Sequence, residues 1–198
     1  HTSSVSNNRI LLNLDKVEQI EQLPKKAGTL YICAAMTSKN ACEENADLST
    51  LINAQAPILL CDHYSKLGSK IVFFSSSGVY DGSLEKVPPS TQTNAPTLYG
   101  KQKVLVEEHL KQSNRDALII RPSKVFGFYS QLVQDWMQAL MTGQTITPFK
   151  DLNFSPISTR FLVRSVMDIT KADGKGIVHL SGDRDLSCMD WAYLISDF

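Results

Sequence analysis

The segment Lys70-Ile-Val-Phe-Phe-Ser-Ser-Ser77 is a short apolar run that leads directly into three serines. A strand without polar alternation is buried on both faces, which is typical of a parallel sheet covered by helices. In open parallel sheets, ligands bind beyond the carboxyl ends of the strands. The three serines are therefore predicted to lie at the ligand-binding edge of such a sheet.

Similar apolar runs alternate with helical patterns along the rest of the chain. The predicted strands are 9–14, 29–35, 70–74, 116–120 and 176–180, and the predicted helices are 16–22, 47–67, 99–112, 130–141, 160–171 and 189–196. Pro57 predicts a kink in the longest helix, or a helix that restarts near Asn53. The alternation predicts an α/β fold with a Rossmann-like, doubly wound parallel sheet.

The charge and hydropathy patterns restrict the partners. The 20 basic and 20 acidic residues cancel and form no basic stripe, which argues against nucleic acid or an anionic membrane surface. No stretch of 18 apolar residues occurs, so the sequence predicts no membrane span. A small molecule is therefore the expected ligand.

The cysteines and histidines carry no metal or disulfide signature. The four cysteines form no Cys-x-x-Cys pair and lie in apolar or helical contexts, which predicts buried free thiols in a reducing, cytoplasmic compartment. The four histidines are scattered without the spacing of metal ligands. We expect no metal site.

Tyr99 and Lys103 suggest acid–base chemistry. They are four residues apart in a predicted helix, so their side chains lie on one face. A nearby ammonium lowers the pKa of a phenol toward the working range of a general acid–base group. Ser76 could orient a substrate oxygen beside the phenol. Taken singly, such a tyrosine can be a packing residue, and such serines can form a turn.

Three longer segments carry a family resemblance. Phe73-Phe-Ser-Ser-Ser-Gly-Val-Tyr-Asp-Gly82, Ala95-Pro-Thr-Leu-Tyr-Gly-Lys-Gln-Lys103 and Ile119-Ile-Arg-Pro-Ser-Lys-Val-Phe-Gly127 together resemble the extended short-chain dehydrogenase/reductase superfamily. Within it, the sequence is most similar to nucleotide-sugar epimerases and dTDP-4-dehydrorhamnose reductases. The resemblance implies a dinucleotide-binding domain at 1–127, completed by a later returning strand. It also implies an incomplete contribution to a substrate lobe at 128–198.

The resemblance implies an NAD- or NADP-dependent reductase of a 4-keto sugar nucleotide. A nucleotide-sugar epimerase is the alternative, and a regulatory subunit that keeps the fold without catalysis is an alternative of another class. Ser77-Gly78 replaces the acidic pair that 4,6-dehydratases carry there, which argues against dehydration. Members of the superfamily often pair helices into a dimer, so the resemblance implies helices 47–67 and 99–112 as the surfaces of a homodimer.

The resemblance also implies roles for individual residues. Ser76, rather than Ser75 or Ser77, matches the family's catalytic serine or threonine, and Tyr99 and Lys103 match its acid–base tyrosine and lysine. The lysine also binds the nicotinamide ribose in the family. The residues that match the family's cofactor-binding positions, besides Tyr99 and Lys103, are Asn13, Leu14, Ala34, Ala35, Thr37, Asn53, Pro122 and Val125.

One family motif has no counterpart in this sequence. The Gly-x-x-Gly-x-x-Gly turn that holds a pyrophosphate at a helix amino terminus does not occur, and the first glycine is Gly28. We therefore expect a Rossmann-like sheet that lacks its first β-α unit. Truncation is our interpretation, and a natural relic with weakened dinucleotide binding is the alternative.

Overall fold

The computed structural model describes residues 10–25, 28–113, 116–127, 131–149 and 152–196. The chain forms two compact units. The first comprises residues 1–73, 78–86 and 92–117, and the second comprises residues 74–77, 87–91 and 118–198. The assignment of 1–127 to a dinucleotide-binding domain and 128–198 to a substrate lobe stays a prediction.

Helices and short strands alternate along the described chain. The strands are β1 (Thr29–Ile32), β2 (Lys70–Phe74), β3 (Leu118–Pro122), β4 (Val125–Phe126), β5 (Asn153–Phe154), β6 (Ile157–Ser158), β7 (Gly176–Leu180) and β8 (Leu186–Ser187). The α-helices are α1 (Lys39–Glu44), α2 (Ala46–Thr50), α3 (Ala56–Lys66), α4 (Leu98–Gln112), α5 (Gln131–Met141), α6 (Thr159–Lys171) and α7 (Cys188–Ser196). The longer predicted helices are therefore confirmed to within a few residues at their ends.

In the first unit, β1 and β2 form a parallel pair. Thr29 is opposite Lys70 and Ile32 is opposite Phe73. The middle of β2 is fully buried, as its continuous apolar sequence predicts. The helices of this unit also contact one another through polar groups, since His109 of α4 lies 2.8 Å from the Asp62 carboxylate of α3. The parallel pairing and the surrounding helices confirm the predicted α/β class.

The long helical stretch before β2 contains an irregular turn where Pro57 disturbs it. Leu51–Gln55 forms a π-helical turn, and the regular helix α3 begins at Ala56, with Pro57 in its first turn. Proline is tolerated there because the first N–H groups of a helix have no intrahelical partner. The predicted irregularity near Asn53 is thus confirmed, and Asn53 lies inside the π turn.

In the second unit, β3 and β7 form a parallel pair in which Ile120 is opposite Val178. The segment that follows β2 joins this unit, because the Ser75 N–H donates to the Ile120 carbonyl at 2.8 Å. Two further strand pairs are short: β4 with β6 in parallel, and β5 with β8 antiparallel. Phe126 packs against the ring of Trp191 at a centroid distance of 4.4 Å.

Two sequence predictions are wrong. The described part of the predicted strand 9–14 has no strand pairing, and Leu11 is 93% exposed. The helix predicted at 16–22 is present as a 3-10 helix, Val17–Gln22. Among the cysteines, Cys42, Cys61 and Cys188 are buried as predicted, but Cys33, which lies just beyond the end of β1, is exposed.

No helix in the described ranges is long and apolar enough to cross a membrane. Within the same ranges, no group of three or more His, Cys, Asp or Glu side chains is arranged to hold a metal ion.

Candidate functional site

The amino terminus of α4 is fixed by two side chains, and this orients Tyr99, the second residue of the helix. The Thr97 hydroxyl accepts a hydrogen bond from the Gly100 N–H at 3.2 Å, which is a regular N-cap. The Glu43 carboxylate accepts from the Leu98 N–H at 2.8 Å. Two of the unpaired donors of the first turn are thereby satisfied, and the carboxylate lies at the positive end of the helix dipole.

Gly100 allows this helix to approach the loop that follows the serines. A Cβ atom at Gly100 would overlap the carbonyl oxygen of Gly78 and would lie 2.9 Å from the Ala95 Cβ. The backbone of α4 therefore lies directly against the backbone of Gly78. Only glycine permits this approach, so the residue beside Tyr99 fixes how closely the helix packs on the loop.

Lys103 is a charged group in the interior of the first unit. Its side chain is buried, with only 3% of the residue exposed. Its Nζ lies 4.8 Å from the centre of the Phe73 ring and 5.6 Å from the centre of the Tyr99 ring. Burial lowers the pKa of Lys103 to about 8, although Cys33, Cys42 and Glu107 oppose this effect. The ammonium is therefore close to Tyr99 and is protonated at neutral pH.

The segment after β1 holds three of the residues that resemble cofactor-binding positions. Ala34 and Thr37 are exposed, and Ala35 is half-buried. Between them, the backbone of Met36 is held by Asn53 through two hydrogen bonds. The Met36 N–H donates to Asn53 Oδ1 at 2.8 Å, and Asn53 Nδ2 donates to the Met36 carbonyl at 2.9 Å. The Asn53 side chain therefore fixes this segment by binding the backbone of Met36.

A buried polar network extends from Asn53 to α4. Asn53 Nδ2 also donates to Gln102 Oε1 at 2.8 Å. Gln102 Nε2 donates to the Ser49 hydroxyl at 2.8 Å and to the Thr50 hydroxyl at 3.1 Å. The residues Ser49, Asn53 and Gln102 are fully buried. The π turn and α4 are thus joined by side chains whose donors and acceptors are matched.

The second unit holds the other predicted site residues. Ser76 is half-buried and follows Ser75, whose N–H extends the hydrogen bonding beyond the end of β2. Pro122 ends β3, and Val125 begins β4 opposite Ile157. Both are half-buried, and Pro122 is at the carboxyl end of the parallel strand β3, where ligands of open parallel sheets bind.

Asn13 and Leu14 are in irregular backbone rather than in a strand. The Asn13 N–H donates to the Gln19 side chain at 3.0 Å, and its carbonyl accepts from the Lys16 N–H at 2.9 Å. Asn13 is exposed and Leu14 is half-buried. A role of these two residues near an adenine stays a prediction.

Comparison with known proteins gives the family. The profile of the RmlD substrate binding domain matches residues 1–198. The chain belongs to this RmlD family. The probable low-salt glycan biosynthesis reductase Agl14 of Haloferax volcanii is 27% identical over 172 residues, which cover 83% of this chain and 57% of that protein. Methionine adenosyltransferase 2 subunit beta of Xenopus laevis is 25% identical over 186 residues, which cover 87% and 54%.

The fold of this RmlD-family chain is also that of solved structures. The dTDP-4-dehydrorhamnose reductase of Bacillus anthracis, crystallised in complex with NADP, superimposes with a TM-score of 0.89 at 22% identity. The match covers 94% of this chain and 68% of that one. The Rossmann-like fold predicted from the sequence is therefore confirmed. The chain spans somewhat more than half the length of the curated relatives it matches.

The roles of three residues that support the site of this RmlD-family chain were not predicted from the sequence. Gln102, Glu43 and Gly100 contact Asn53, the Leu98 amide and the Gly78 backbone respectively. A signal existed only for Gln102, because it follows the helical spacing of buried residues Val106 and Leu110. A polar residue on the buried face of a helix indicates a matched partner.

Proposed function

We propose that this chain belongs to an NAD- or NADP-dependent reductase of a keto group on a nucleotide sugar, of the dTDP-4-dehydrorhamnose reductase kind. The observation that carries the proposal is the pairing of Tyr99 with the buried ammonium of Lys103. Family membership supports it, as do the names of Agl14 and of the Bacillus anthracis neighbour.

The residues of the first unit fit a nicotinamide dinucleotide. Ala34 and Ala35 leave room for a ligand after β1 because their side chains are small and at least partly exposed. The Lys103 ammonium is a donor suited to a ribose hydroxyl. In this proposal, Lys103, Ala34, Ala35 and Thr37 hold the dinucleotide, which is NADP in the Bacillus anthracis neighbour.

Each side chain has a separate task in the proposed reaction. When bound, the reduced dinucleotide supplies the hydride that the carbonyl carbon accepts. Tyr99 donates its phenolic proton to the carbonyl oxygen, so the product is an alcohol and the phenolate is left on Tyr99. Lys103 stabilises that phenolate by its positive charge. The family resemblance gives Ser76 the task of a hydrogen-bond donor in the reaction.

The test is the Tyr99→Phe variant of the complete protein, assayed for oxidation of NADPH or NADH with dTDP-4-keto sugars. Loss of the phenolic proton is expected to reduce turnover by about 10²- to 10⁴-fold, the usual contribution of a general acid. Tyr193→Phe is the matched control because Tyr193 is 64% exposed on α7. Turnover by Tyr99→Phe within a few-fold of wild type would refute the proposal.

Two other functions are distinguished by the same assay. A nucleotide-sugar epimerase would convert substrate without net consumption of reduced cofactor. We infer a non-catalytic subunit as the second candidate, because the chain is similar to methionine adenosyltransferase 2 subunit beta. A protein of that kind would co-purify with another enzyme and would not oxidise NADPH with any keto sugar nucleotide. The cytoplasmic location and the homodimer stay predictions.

A further inference from the structure

Gln102 joins two parts of the first unit that the proposed function assigns to the dinucleotide. It is next to Lys103 on α4, and its side chain reaches Asn53, which holds the Met36 backbone between Ala35 and Thr37. Gln102 and Asn53 are 49 residues apart in the chain. Two side chains therefore make a direct connection from the helix of Lys103 to the segment after β1.

Only one orientation of the Asn53 and Gln102 side-chain amides pairs every donor with an acceptor. Asn53 Oδ1 accepts from the Met36 N–H, so Asn53 Nδ2 faces the Met36 carbonyl and Gln102 Oε1. Gln102 Nε2 then has two protons, and the hydroxyls of Ser49 and Thr50 accept them. Reversal of either amide would bring donor to donor or acceptor to acceptor in a buried site.

The network also connects to the neighbouring helices. The Ser49 hydroxyl donates to the Cys42 carbonyl at 2.9 Å, and the Cys42 thiol donates to the Met36 carbonyl at 3.3 Å. Met36 is therefore held from two directions, by Asn53 and by Cys42. Both of these contacts lead back to Gln102, one through Asn53 and the other through Ser49.

We propose that Gln102 is a positioning residue that fixes the segment Ala34–Thr37 at the distance from Lys103 that dinucleotide binding requires. The inference rests on the proposed function. Gln102 itself touches neither substrate nor cofactor in this proposal. Its effect passes through Asn53 to the Met36 backbone, so dinucleotide affinity depends on the acceptor that Gln102 presents to Asn53.

Two variants of the complete protein separate this role from a general contribution to stability. Gln102→Met keeps the length of the side chain but removes the acceptor for Asn53. Gln102→Glu keeps an oxygen facing Asn53, and the Thr50 hydroxyl can rotate to donate to its second oxygen, whereas the Ser49 hydroxyl proton remains on the Cys42 carbonyl. The glutamate buries an acidic group, so we expect it to be the less stable of the two variants in urea unfolding.

The measurements are the dissociation constant for NADPH and the hydrogen exchange of the Met36 amide in the absence of NADPH. For Gln102→Met, we expect the dissociation constant to rise about tenfold and Met36 exchange to accelerate about tenfold, as for one lost buried hydrogen bond. For Gln102→Glu, we expect both values to remain within about threefold of wild type. Gln112→Met is the matched control, because Gln112 is exposed at the end of α4.

The order of the variants decides the outcome. The positioning role is supported if Gln102→Met binds NADPH more weakly than both wild type and Gln102→Glu, although Gln102→Glu is the less stable of the two variants. The role is overturned if Gln102→Glu, the less stable variant, binds NADPH more weakly than Gln102→Met. It is also overturned if the Met36 amide exchanges faster in Gln102→Met while the affinity for NADPH is unchanged. In both cases the proposed function stands. If wild-type protein binds neither NADPH nor NADH, the proposed function fails, and this inference fails with it.

Discussion

Replacement of Lys103 by methionine is expected to stabilise the protein while it removes activity. The charged ammonium is buried, and the pKa of Lys103 is about 8 instead of 10.5. This difference corresponds to about 3 kcal/mol at neutral pH, which is the cost of keeping the charge in the folded interior. Methionine fills a similar space without that charge. Lys111 still lies 3.8 Å from the buried Glu107 carboxylate, so that carboxylate keeps a cation nearby.

The size of this stabilisation depends on pH in a defined way. Between pH about 8 and 10.5 the unfolded chain binds more protons than the folded one, because Lys103 is deprotonated first in the folded state. The stability of wild type therefore rises across this window, and the advantage of Lys103→Met shrinks. Below pH about 8 the advantage is at its full value of about 3 kcal/mol.

Urea unfolding at pH 7 and at pH 10 tests this reasoning. Lys101→Met is the control, because Lys101 is exposed two residues earlier on α4 and its replacement is expected to change stability by less than about 0.5 kcal/mol. A Lys103→Met protein that is no more stable than wild type at pH 7 would refute the reasoning. So would an advantage that stays constant from pH 7 to pH 10.

Three further predictions concern the same unit. Gly100→Ala is expected to destabilise the protein by about 2 kcal/mol or more because its Cβ would overlap the Gly78 carbonyl, whereas Gly28→Ala has open space; thermal unfolding of both variants checks this. The value of kcat/KM is expected to fall as pH rises through about 8, because deprotonated Lys103 no longer carries the charge beside the phenol; a flat profile to pH 10 would contradict it. If α3 and α4 form the predicted homodimer, Leu105→Lys will lower the sedimentation coefficient to that of a monomer, since Leu105 is 48% exposed; unchanged sedimentation would count against that interface.

The sequence predicted most of the elements that are buried on both faces. A continuous apolar run such as Lys70–Phe74 has no polar face for solvent, so it indicates a strand of a parallel sheet that is covered on both sides. The run at 9–14 has a similar composition, but strand formation depends on a partner strand as well as on side chains. The described part of this run has no such pairing, and composition alone could not reveal that.

The residues that hold the site in position were much less predictable than its reactive residues. Tyr99 and Lys103 follow a helical spacing that can be read within five residues of sequence. The helical spacing of Gln102 with Val106 and Leu110 indicates a buried side chain, but Gln102 and Asn53 meet across 49 residues, and no local pattern identifies Asn53 as the partner. The partners of a buried amide are determined by packing, which appears only in three dimensions.

The π-helical turn at Leu51–Gln55 makes this part of the chain sensitive to changes in length as well as in chemistry. Removal of one residue here would restore ordinary α-helical hydrogen bonding, but it would rotate everything upstream by about 100° relative to α3. Ser49 would then turn away from Gln102. A single-residue deletion would thus improve the hydrogen bonding of the helix but disrupt the side-chain contacts made by the residues before it. We therefore expect related sequences to differ at this turn by substitution, with the number of residues unchanged.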